Sequence, residues 1–132
     1  MNLQIRMATI IGLAVVPFAA HAHHSWRAVY GGGEEVSVTA TIASKPFRNP
    51  HNAVHVQLPN EAGELEAWTI EWRGQRRRDG EPRVTYDLNP GDEVVVDGRR
   101  AVDTNLKKIQ MQTLTRPADG MTITARERRR DR

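Results

Sequence analysis

The chain of 132 residues contains no cysteine. That excludes disulfides and a lipid-bearing thiol, so the folded protein is held by packing alone. Aromatic residues are scarce, with three tryptophans, two tyrosines and two phenylalanines, and no exposed row for stacking on sugars stands out. A nucleophile elbow, a glycine-rich phosphate loop, an HExxH helix and a carboxylate pair at a telling spacing are all missing. An enzymatic assignment therefore has no residue pattern to rest on.

No apolar run reaches the roughly 20 residues that span a bilayer. The longest, "ATIIGLAVVPFAA" (8–20), is interrupted by Pro17, follows Arg6 and ends in Ala20-His21-Ala22. These are the positive region, apolar region and small-x-small cleavage site of a secretory signal peptide. Residues 1–22 are expected to be removed, leaving a chain from His23 of single-domain size. Its expected home is a bacterial periplasm or the outside. From residue 23 onward eighteen lysines and arginines face sixteen acids, a balance of +2 that gives nucleic-acid binding no general support.

What is present reads as short strands between turns. After "GGG" (31–33), the stretch "EVSVTATIA" (35–43) alternates Val36, Val38, Ala40 and Ile42 with Ser37, Thr39 and Thr41. "AVHVQL" (53–58) puts Val54, Val56 and Leu58 on one face. Beyond the turn "PNEAG" (59–63), "ELEAWTIEW" (64–72) groups Trp68, Ile70 and Trp72. An antiparallel meander with both tryptophans in the core is predicted. Residues 73–88 hold two glycines, a proline and no helical stripe, and read as a loop.

"NPGD" (89–92) then turns into a strand with Val94 and Val96 inward. "KIQMQTL" (108–114) supplies a fifth, with Ile109, Met111 and Thr113 on one side, and "MTIT" (121–124) a short edge strand. Residues 126–132 form a charged tail expected to be disordered. Five strands with a longer connection between the third and fourth predict an all-β domain over 23–125. A small OB-like β-barrel is preferred because closure removes exposed edges. A β-sandwich stays open, since alternation does not set strand order.

"AHHSW" (22–26), "NPH" (49–51), "WTIE" (68–71) and "LNPGDEVVVDG" (88–98), taken in order, resemble a family of small exported bacterial proteins of unknown function. That family is marked by a His-His-Ser mature start and an Asn-Pro-His motif. The resemblance covers most of the mature chain and implies an exported β-rich domain, but no activity. The chain departs from the pattern at Gly31, where the family has an acid, and at Ala40, where it has glycine. No carboxylate is therefore carried over near position 30.

Three of the five histidines, His21, His23 and His24, crowd into four positions. A chain beginning at His23 offers its α-amine and the Nδ1 of the same residue to one ion. A second imidazole completes a three-nitrogen set suited to copper, similar to the histidine brace of other exported copper proteins. His24, His51 and His55 are the choices. His51 is preferred because it lies in a turn that can be aimed, whereas His51 and His55, four strand residues or roughly 13 Å apart, cannot share an ion on an unbroken strand.

Glu71 is the expected outer carboxylate that orients a ring, and Trp26 and Tyr30 are placed to pin the N-terminus against the barrel. Cleavage after Ala20 would instead expose His-Ala-His, another copper geometry. The plainer reading makes His23 and His24 solvated chain, His51 a turn former, and His55 a strand residue facing water or a cross-strand partner.

Two functional expectations follow. One is an exported periplasmic protein that binds copper through His23 with His24 or His51, for buffering, delivery or sensing. The other is a metal-free OB-like module that recognises an envelope protein or an anionic envelope component through a basic loop, Arg73, Arg76, Arg77 and Arg78. Neither involves nucleic acid or a membrane span in the mature form.

Overall fold

The computed structural model describes residues 25–48, 50–74, 80 and 84–126. Along them run a short helix α1 (Trp26–Tyr30) and strands β1 (Glu35–Ile42), β2 (Phe47–Arg48), β3 (Asn52–Pro59), β4 (Leu65–Trp72), β5 (Glu93–Arg100), β6 (Lys108–Arg116) and β7 (Met121–Thr124). β1 pairs antiparallel with β5 from Glu35 opposite Arg99 to Thr41 opposite Glu93, and its end also pairs with β3 at Thr41–Gln57 and Ile42–Val56. β3 pairs antiparallel with β4, and β5 with β6. β4 and β6 run parallel, Ile70 opposite Ile109.

The order β1-β3-β4-β6-β5 returns to β1 and closes five strands into a barrel with OB connectivity. Closure decides against the sandwich. β2 is added along β3 and β7 along β6.

The alternating residues fill the barrel as their period requires. Val54, Val56, Ile70, Val94, Val96 and Ile109 are wholly buried, and Trp68 and Trp72 join them. One strand departs from the expected pattern. Pairing slips between Asp97–Thr113 and Gly98–Met111, so Gln112 is an extra residue in β6. The bulge reverses the alternation beyond it. Leu114, not Thr113, enters the core, and the Thr113 hydroxyl donates to Asp97 outside it at 2.9 Å. Gly98 sits beside this bulge because a Cβ there would lie 2.2 Å from the Gln110 carbonyl oxygen.

Asn89-Pro90-Gly91-Asp92 forms a turn with proline second and a left-handed glycine third (φ 94°), closed by Asp92 N–H donating to the Asn89 carbonyl at 3.0 Å. Arg116, at the end of β6, clamps it. Its guanidinium donates to Asp92 at 2.8 Å, to both Asp119 oxygens at 2.7 and 3.0 Å, and to the Asp87 carbonyl at 2.7 Å. The connection entering β5 is thereby fixed against the β6–β7 turn.

Candidate functional site

Asn52, at the start of β3, lies opposite Trp72, at the end of β4. Their chain neighbours His51 and Arg73 therefore flank one point of the barrel. The helix α1 covers this point. Ser25 starts it as an N-cap, its hydroxyl accepting from Ala28 N–H at 3.1 Å. Trp26 and Tyr30, four residues apart, share a helix face with rings 5.2 Å apart.

Tyr30 is buried, and its hydroxyl donates to Glu71 at 2.6 Å. Glu71 also accepts from the Lys108 ammonium at 3.1 Å. The backbone adds a second tie, Val102 N–H donating to the Val29 carbonyl at 2.8 Å. Burial, then the bond to Glu71, pushes the Tyr30 phenol far above its usual range. It stays a proton donor throughout the accessible pH range.

The Trp26 ring lies against His51, centroids 4.5 Å apart, and the Arg73 guanidinium sits 5.4 Å from the same ring centroid. Burial holds the His51 imidazole below its ordinary value. Glu71 opposes this, while Arg73 and Arg48 add to it. A neutral imidazole at neutral pH is the form that ligates a metal.

His51, Glu71 and Arg73 are thus brought together, with Trp26 and Tyr30 joining them to the start of the described chain. Residues 1–22, His23, His24, Arg76, Arg77 and Arg78 lie outside the described residues. His55 is separate from this group. It is exposed on the outer face of β3, its Nδ1 3.2 Å from the Thr69 hydroxyl and its ring 4.7 Å from Phe47. Among the described residues no three histidines, aspartates or glutamates gather closely enough to hold a metal ion.

Beside His51 opens a cleft of about 640 Å³. Lys45, Arg48, Arg73 and Arg126 line it together with the rings of Trp26, Phe47, His51 and Tyr86, and among the described residues no aspartate or glutamate does. Arg126 is held there by its N–H, which donates to the Arg73 carbonyl at 3.1 Å. Residues 127–132 of the tail lie outside the described residues. Sequence reasoning singled out Arg73 in this group but passed over Lys45, Arg48 and Arg126. The available signal was the pair of cations in "KPFRNPH", just ahead of the histidine.

Fold and site together define a small OB-type barrel with a short helix seated against His51, next to a cationic cleft. The chain belongs to a family of unknown function (DUF6152), whose model matches residues 10–110. No curated protein and no solved structure matches the chain. No helix among the described residues is long and apolar enough to cross a membrane.

Proposed function

We propose that this is an exported periplasmic protein that binds a single copper ion at its processed N-terminus, for buffering, delivery or sensing. The ligands are the amine and Nδ1 of His23 and the imidazole of His51, with His24 as the alternative second imidazole. One observation carries the reading: the ring of Trp26, three residues after His23, lies against that of His51, centroids 4.5 Å apart and planes tilted by 43°. Three residues of chain span at most about 11 Å, so anchoring Trp26 against His51 keeps His23 within reach of it.

The surroundings suit that role. His51 is biased toward its neutral form, and nitrogen donors in this number favour copper among the divalent ions. Export supplies the free amine, since only cleavage after Ala22 makes His23 the first residue. The Glu71 carboxylate, held by Tyr30 and Lys108, adds a fixed negative charge near the site.

The test is a Cu(II) titration of protein beginning at His23, against the same chain with its α-amine acetylated. A single tight equivalent that is lost when the amine is blocked is the expected result. Equal uptake by both forms, or a mass showing that the exported chain starts elsewhere, overturns the proposal.

A further inference from the structure

We infer that the cleft beside Trp26 is a binding site for a phosphate monoester or pyrophosphate group. Its cations come from three separate parts of the chain: Lys45 and Arg48 from the β1–β3 connection, Arg73 from the end of β4, and Arg126 from beyond β7. Elsewhere several cations face carboxylates, as Arg99 does Glu35, Lys107 does Glu66, Lys108 does Glu71, and Arg116 does Asp87, Asp92 and Asp119, while Arg100 lies over the Trp68 ring. Lys45, Arg48 and Arg126 have no carboxylate partner among the described residues. Lys45 donates to the Asn89 side chain, and Arg48 Nε to the Pro50 carbonyl at 3.2 Å.

Like charges gathered in one recess repel, and a bound anion relieves this most when its charge is compact. The rings in the wall do not ask for a flat ligand. Trp26 is engaged by His51 and Arg73, Phe47 by His55, and Tyr86 by the edge of Trp72. Charge therefore selects the ligand, and stacking does not. A phosphate monoester concentrates a charge of about −1.5 to −2 on three acceptor oxygens, and guanidinium forks match those oxygens in pairs. The volume of about 640 Å³ is that of a small-molecule site. The phosphate can come from a soluble ester or from a lipid headgroup.

The experiment uses the mature chain with its α-amine acetylated and a chelator present, so that copper plays no part and failure of the copper reading leaves this one untouched. Inorganic pyrophosphate is titrated by calorimetry, and vesicles of phosphatidylcholine with or without phosphatidic acid are tested by co-sedimentation. One saturable equivalent of pyrophosphate is expected, weakened about tenfold or more in R48A/R126A and unchanged in R27A, a cation on α1 outside the cleft.

R48K/R126K, which keeps the charge, retains measurable binding, and circular dichroism checks the fold of each variant. Phosphatidic-acid vesicles that bind and are displaced by pyrophosphate identify a headgroup as the source. Pyrophosphate binding without vesicle binding identifies a soluble ester. No saturable binding in either arm, equal binding by R48A/R126A, or equal binding of citrate overturns the inference.

Discussion

The Tyr30 hydroxyl donates a 2.6 Å hydrogen bond to Glu71, and the same carboxylate accepts from Lys108 at 3.1 Å. Three elements that are distant in sequence, α1, β4 and β6, meet on one acidic group. Tyr30 is only 2% exposed, so water cannot easily replace the lost partner. Tyr30→Phe keeps the ring and deletes the bond, and is expected to cost about 1–3 kcal/mol, the range for a charge-assisted hydrogen bond that leaves its partner under-satisfied. Urea denaturation measures it. A double-mutant cycle with Glu71→Ala should return most of that loss as coupling, and independent effects would show that the contact does not anchor the helix.

Trp72 separates packing from polarity. It is 1% exposed, lies edge-on to Tyr86 at 5.1 Å, and its indole N–H has no hydrogen-bond partner among the described residues. Trp72→Phe thus removes volume but no hydrogen bond, and Trp72→Ala removes nearly the whole side chain. The alanine variant should lose about 3–5 kcal/mol, a large part of the stability of a domain this size. The phenylalanine variant should lose clearly less. Thermal unfolding of the two side by side checks the order, and equal losses would point to a polar role for the indole.

Arg116 makes stability depend on acid. Its guanidinium holds Asp119 down to about 2, with a further bond from Met121 N–H. Asp92 is lowered first by the Asn89 N–H and then by Arg116. Carboxylates lowered on folding stabilise the folded state fully above their unfolded value of about 3.9 and lose that contribution as pH falls through the folded value. Stability should therefore fall between about pH 4 and pH 2. In Arg116→Leu the loss across that window should be smaller, because the carboxylates titrate nearer their unfolded values, while stability at pH 7 is already reduced. Urea midpoints at pH 7, 4 and 2 decide it, and parallel curves for both proteins would rule the clamp out.

The barrel was legible because β3, β4 and β5 keep a strict two-residue period, which declares the inward set without knowledge of partners. The sequence lost the thread at β6, where the bulge at Gln112 swaps Thr113 for Leu114. A bulge is a pairing event and leaves no mark in one strand alone. Helix α1 has five residues, too few for a helical period to register. The cleft was the least visible feature. Lys45, Arg48, Arg73 and Arg126 become neighbours only when the barrel closes, whereas Arg76, Arg77 and Arg78 drew attention by standing together in the sequence.

His51 and His55 test the copper reading from within one short segment. They are four residues apart, yet His51 rests half-buried on Trp26 while His55 is exposed and bonded to Thr69. A ligand role for His51 requires that His51→Ala weaken Cu(II) binding by about tenfold or more, and that His55→Ala leave it nearly unchanged. Trp26→Ala should move affinity in the same direction as His51→Ala without removing a donor, since it frees the helix that brings His23 to the site. Losses of 10- to 100-fold are usual for groups that orient a ligand. Competition against a chelator of known affinity reads all three variants. If His51→Ala binds copper as tightly as the parent, the second imidazole is supplied by His24 alone, and the contact of Trp26 with His51 serves the fold rather than the metal.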